Sequence, residues 1–149
     1  MIAMRKQTES ATQTGCVLWF RMTYRPIADL LISIPNGSRL AGTQGQRAAQ
    51  WARLKREGAK SGAPDLVLFV PIIHHHGLMV EMKTKTGRQT ENQSSFQESA
   101  TAQGYAYCVC RSLEDFQRVV RNYLLGTPYD SALQKKSEPC YTSHPSCSP

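Results

Sequence analysis

No run of about 18 apolar residues occurs in this chain, so nothing in it is built to cross a bilayer as a helix. The opening MIAMRKQTES lacks the continuous apolar stretch of a secretory signal, and the protein is expected in the cytoplasm, away from membranes. Cysteine is too sparse and too odd in number, at five, for a full disulfide framework. Acidic residues are scarce: 11 Asp and Glu stand against 18 Lys and Arg, a formal charge of +7. No internal repeat is found.

What is present suffices for one domain. A chain of 149 residues with 40% apolar content buries enough surface for a real core. That domain is expected over residues 1–126. The remaining 127–149, rich in Ser, Pro and Lys, has too little apolar content to pack and is expected to be disordered. This tail adds nothing to the net charge, since two Lys are balanced by Asp130 and Glu138. The basic excess therefore belongs to the folded part. Arg39, Arg47, Arg53, Lys55, Arg56 and Lys60 fall within 22 residues against the single acid Glu57, which suits either a polyanion partner or a solvated basic surface.

Helical spacing of Cys16, Val17, Phe20 and Tyr24 predicts a first helix over 8–24, with Gln13 and Glu9 on the same stripe. Pro26 closes it. LLISI at Leu30 to Ile34 predicts a strand, and Pro35-Asn36-Gly37 a turn. Gln44 to Glu57 predicts a largely basic helix with a modest apolar face of Ala48, Trp51, Ala52 and Leu54, capped by Gly58. Asp65 to Val70 is apolar after its first residue, as in a strand covered on both faces. Leu78 to Lys83 alternates cleanly, and the short connection between the two strands predicts an antiparallel hairpin. A third helix starts at Thr90, which with Gln93 forms a capping box; Tyr105 to Cys110 is a last strand, and Ser112 caps a fourth helix carrying Leu113, Phe116, Val120, Tyr123 and Leu124. The order is α-β-α-β-β-α-β-α, an α/β fold with a small mixed sheet flanked by helices.

The chemistry concentrates between Gly62 and Lys85. Asp65 follows Pro64 at the start of one strand, and Glu81-x-Lys83 closes the next. Magnesium takes oxygen ligands, typically one or two carboxylates plus substrate phosphate and water, and Asp65 and Glu81 can supply the two. Glu81 and Lys83 leave one strand face about 6 to 7 Å apart, which sets a cation beside the metal site. The plain alternative is a surface ion pair worth little. Glu9 either joins the carboxylates or simply favours the helix N-terminal dipole. Gln93 either caps its helix or, with Gln97 one turn on, faces the site.

These pieces together resemble the VRR-NUC branch of the PD-(D/E)xK nucleases. The resemblance runs over residues 9–125 and rests on Glu9 with Gln13, IPNG at Ile34 to Gly37, GAKSGAPDLVLF at Gly58 to Phe69, GLMVEMKTKTGRQTENQ at Gly77 to Gln93, and GYAYCVCRS at Gly104 to Ser112. It implies a restriction-endonuclease-like fold and Mg2+- or Mn2+-dependent phosphodiester hydrolysis. The implied catalytic set is Glu9, Asp65, Glu81 and Lys83, with Gln93 added, and the implied metal ligands are Glu9, Asp65, Glu81 and the carbonyl of Met82. Branched or duplex DNA is the implied partner, with a Holliday-junction-resolvase-like homodimer as the working form. Asn36, Arg39, Arg47, Lys55, Arg56, Lys60, Ser61, Lys85 and Arg88 are the expected DNA contacts.

Three functions compete: a structure-selective DNA endonuclease, a non-catalytic DNA-binding module, and a subunit of a repair or replication assembly. The run His74-His75-His76 departs from the family pattern and reads as a solvated hairpin tip, since neighbouring strand residues point in opposite directions. Cys140 and Cys147 around His144 lack zinc-finger spacing.

Overall fold

The computed structural model describes residues 8–34, 40–125 and 127. The turn expected at Pro35-Asn36-Gly37, the DNA contacts expected of Asn36 and Arg39, and Cys140, His144 and Cys147 lie outside the described residues.

Thr8 caps α1 (Glu9–Thr23) by accepting from the Ala11 amide at 3.2 Å. Cys16 and Phe20, one turn apart, are fully buried, and Tyr24 continues the stripe just past the helix end. Pro26 cannot donate within a helix, and it opens a short 3-10 segment, Arg25–Leu30, that no sequence pattern announced. That segment tucks Ile27 into the core and feeds β1 (Leu31–Ser33).

Thr43 and Gln46 exchange a reciprocal capping box at the start of α2 (Gln44–Arg56). The helix stops at Glu57, and Gly58 follows at φ +103°, a left-handed conformation that glycine adopts without strain. The apolar face expected of α2 is not used. No residue of this helix is buried; Trp51 and Leu54 are only half-covered, and Ala48 and Ala52 are exposed.

Then come β2 (Leu66–Leu68), β3 (Leu78–Met82), α3 (Glu91–Ala102), β4 (Ala106–Cys110) and α4 (Leu113–Leu124). The sheet order is β1-β2-β3-β4. β1 pairs with β2, and β2 with β3, antiparallel, so the expected hairpin is present with Leu66 opposite Val80. β3 and β4 run parallel, with Glu81 opposite Val109. The result is the mixed sheet flanked by helices that the element order predicts.

Period-two alternation sorts β3 by face. Leu78, Val80 and Met82 join Cys110, Leu66 and Leu68 in one core against Cys16, Phe20 and Tyr24 of α1 and Phe116, Val120 and Leu124 of α4. Phe116 is fully buried there, and its truncation to Ala would cost about 3–5 kcal/mol. Met79, Glu81 and the following Lys83 point to the opposite face, where α3 lies.

His74 and His76 are exposed, as a solvated hairpin tip requires, and His75 is half-covered. His75 stacks on Tyr123 at 6.4 Å between ring centroids, and His76 meets Tyr105 edge-on at 5.8 Å. A backbone bridge between Ile72 and His75 tightens the loop. Among the described residues, no helix is long and apolar enough to cross a membrane.

Candidate active site

The site is built at the end of β3 by backbone direction. The Lys83 amide donates to the Cys110 carbonyl at 2.9 Å, toward β4. In a trans peptide the carbonyl of the preceding residue points the opposite way, so the Met82 carbonyl faces away from β4. Asp65 lies on that side. Its Oδ2 accepts from the Met82 amide at 2.8 Å, pinning the residue before β2 to the last residue of β3.

Glu81 is 1% exposed. Lys83 Nζ sits 2.9 Å from its Oε1, and the Lys83 side chain is itself only 12% exposed. The surface ion pair weighed from sequence is thus a buried one. Such a pair adds little net stability, because desolvating both charges offsets their attraction. Burial raises the Glu81 carboxyl above the usual carboxylate range; the Lys83 hydrogen bond pulls it back, and the negative charges of Asp65 and Glu9 push it up again. The three carboxylates therefore sense one another.

Gln93 resolves the choice left open by sequence in favour of both readings at once. Its Oε1 accepts from the Thr90 amide at 2.9 Å, completing the capping box of α3. Its Nε2 donates to Glu81 Oε1, the same oxygen that Lys83 holds. Gln97 sits further out, accepting from Gln89 Nε2 at 2.9 Å.

Glu9 reaches the site from its edge. Its Oε1 accepts from the Thr84 amide at 3.0 Å, one residue beyond Lys83. The helix stripe pointed α1 at the sheet, and the side chain ends on the turn that follows β3.

With its Oε1 doubly engaged, Glu81 keeps a buried Oε2 that is hydrogen-bonded to nothing among the described residues. An unpaired buried carboxylate oxygen is costly, and a cation at that point would satisfy it. Among the described residues no group of three or more His, Cys, Asp or Glu could hold a metal ion. Magnesium needs only one or two carboxylates, with waters and phosphate completing its shell, so Asp65, Glu81 and the Met82 carbonyl fit it.

The expected DNA contacts fall in three places. Arg47, Lys55 and Arg56 line the exposed α2, Lys60 and Ser61 lie in the loop before Asp65, and Lys85 and Arg88 follow β3; all are exposed. The loop is drawn onto the first turn of α3, where Asn92 Nδ2 donates to Ser61 Oγ at 3.1 Å. Gly62 sits there at φ +86°, and a Cβ at this position would collide with the Asn92 carbonyl.

Sequence reasoning missed two residues at this site. Tyr107 is on the Glu81 face of β4, and its phenol is pushed above its usual range by burial and then by the Glu81 charge. Arg111 hydrogen-bonds the turn after β3. The alternation of the last strand was a signal for Tyr107, which pairs with Met79 two residues from Glu81 on the same face; nothing local marked Arg111.

An Asp before one strand, a buried Glu-x-Lys on its hairpin partner, and a mixed sheet between helices define a PD-(D/E)xK-like nuclease. Within that class the VRR-NUC domain family matches residues 16–114, and the chain belongs to this family. It carries a nuclease-type domain that acts on DNA. A solved structure described as a VRR_NUC domain protein superposes with a TM-score of 0.68 at 25% identity, covering 81% of this chain and 91% of that one. None of the curated proteins matches. Asp65, Glu81, Met82, Lys83 and Gln93 fall inside the matched residues; Glu9 precedes them.

Proposed function

We propose that the protein is a divalent-metal-dependent, structure-selective DNA endonuclease of Holliday-junction-resolvase type, working as a homodimer in the cytoplasm. The observation that carries it is the buried Glu81, with one oxygen held by Lys83 and Gln93 and the other without a hydrogen bond among the described residues, and with the Asp65 charge acting on the same carboxyl. Mg2+ or Mn2+ would be held by Asp65, Glu81 and the Met82 carbonyl, with Glu9 at the edge. When bound, it supplies Lewis-acid stabilisation of phosphoryl oxygen and makes water a better nucleophile.

The chain's own residues do the rest. Gln93 fixes the Glu81 carboxylate, so its open oxygen keeps one direction. Lys83 Nζ, 2.9 Å from Glu81, orients the attacking water by hydrogen bonding and offsets the negative charge that grows on the phosphoryl oxygens. Lys60, Ser61, Lys85 and Arg88 contact the flanking phosphates, and Arg47, Lys55 and Arg56 extend the electrostatic hold along α2.

Purified protein incubated with four-way junctions, splayed arms and linear duplex is expected to cut the branched substrates in Mg2+. Asp65→Ala and Lys83→Ala are expected to lose at least a hundredfold in rate, corresponding to about 3 kcal/mol. Mg2+ should also raise the melting temperature of wild type but not of Asp65→Asn. Junction binding with no cutting in any divalent metal would instead identify a binding module, and undiminished cutting by Lys83→Ala would remove the assigned site.

A further inference from the structure

The four residues after Lys83 form a tight turn, with the Gly87 amide donating to the Thr84 carbonyl at 3.2 Å. Three carbonyls of this turn converge on one guanidinium nitrogen. Arg111 Nη1 lies 2.6 Å from the Thr84 oxygen, 2.8 Å from that of Gly87 and 3.4 Å from that of Lys85. On the other side, the Thr84 amide is taken by Glu9. The Thr84 residue is therefore held at its N–H by α1 and at its carbonyl by the residue following β4.

Arg111 is anchored in turn. Its own amide donates to Asp115 Oδ2 at 3.2 Å, and the other oxygen of Asp115 holds Arg118 at 2.8 Å. The clamp thus ties the turn to the first helical turn of α4. It buries little: Lys85 and Thr86 are exposed and Thr84 is only half-covered, so no apolar core depends on it. What the turn does carry is function. Lys83 enters it, Lys85 sits at its tip, and Arg88 leaves it.

We propose that Arg111 is a positioning residue that sets the Thr84–Gly87 turn so that Lys85 and Arg88 meet the DNA backbone beside the cut, an inference that rests on the nuclease reading above. All three contacts fall on one terminal nitrogen, and a lysine ammonium, though it has three donors, ends one atom nearer the backbone on a flexible stem, so it cannot be set at that point in the same planar orientation. The role therefore belongs to the shape of arginine and not to its charge.

The test measures junction binding without divalent metal, so that nothing is cut, for Arg111→Lys, Arg111→Met, the pair Lys85→Ala/Arg88→Ala, and each Arg111 variant in that pair. Arg111→Lys and Arg111→Met are both expected to weaken binding by about tenfold and to flatten the dependence of log K on log salt by up to about 2, the slope of two phosphate contacts. In the Lys85→Ala/Arg88→Ala background neither should weaken binding further, because the residues act as one unit. Melting temperatures should stay within a few degrees of wild type. Wild-type affinity in Arg111→Lys would show a contact through charge alone and overturn the proposal, as would full additivity with Lys85→Ala/Arg88→Ala or a large fall in melting temperature. A wild-type protein that neither binds nor cuts any DNA would overturn the nuclease reading and this inference with it, a result distinct from the first three.

Discussion

At the residue scale, Gln93 is the side chain that sequence reasoning could place but not assign. Capping and site contact looked like alternatives because each was tied to a different neighbour, Thr90 or Glu81. A primary amide has an acceptor and a donor at opposite corners, and here each serves one neighbour. Gln93→Glu keeps the acceptor for Thr90 and turns the donor toward Glu81 into a second carboxylate. The expected outcome is a helix cap that survives, a melting temperature lowered by the two adjacent carboxylates, and a cleavage rate lower by roughly ten- to a hundredfold, since a hydrogen bond to a charged group is worth about 1.5–3 kcal/mol. A wild-type rate for Gln93→Glu in a steady-state cleavage assay would leave Gln93 a cap and nothing more. The ion pair teaches a related lesson. Alternation put Glu81 and Lys83 on one face, but only tertiary contacts such as that of Gln93 on α3 make the pair a buried one. Sequence periodicity reports direction along a strand and is silent on what covers it.

Among the elements, β3 was the most legible and α2 the least. Alternating Leu78, Val80 and Met82 fixes which face meets the core, and short connections fix the hairpin; both are local consequences of strand geometry. Asp65 became readable for the same reason, because it stands at the mouth of that hairpin. The partners of Glu9 and Arg111 were not legible. They meet at Thr84 from 75 and 27 residues away in the chain, a separation that no window of pattern spans. For α2, helical spacing suggested an apolar face, yet Trp51 and Leu54 alone do not make a stripe wide enough to dock. The helix is instead an exposed basic rod whose Arg53 is already engaged by Glu57 at 2.8 Å. Replacing Arg47, Lys55 and Arg56 together by Gln is therefore expected to leave the melting temperature within a few degrees of wild type. It should also lower the slope of log K against log salt by roughly 0.9 for each phosphate no longer neutralised. An unchanged slope in a titration from low to physiological salt would remove α2 from the DNA surface.

For the whole molecule, the core that positions the site also makes the fold sensitive to alkaline pH. Cys16 on α1 and Cys110 on β4 are both fully buried in the single core between helices and sheet. Burial pushes each thiol up from 9.0 to about 12. In the unfolded chain the same thiols ionise near their ordinary value, so above it the unfolded state holds fewer protons than the folded one. The stability these groups contribute is complete below pH 9 and is lost as pH rises toward 12. Each thiol removes about 1.4 kcal/mol per pH unit across that window. Urea unfolding at pH 8, 9.5 and 10.5 should show the wild-type midpoint falling with pH more steeply than that of Cys16→Ala/Cys110→Ala, although the variant starts lower because of the cavities it leaves. Other alkaline titrations act on both proteins and cancel in the difference. Parallel slopes would mean that the thiols are hydrated in the native state. Cysteine burial would then not be what joins α1 to β4. With the expected slopes, a decline in cleavage below pH 9 does not come from these thiols, and one above it includes loss of the core that holds α1, and with it Glu9, against the end of β3.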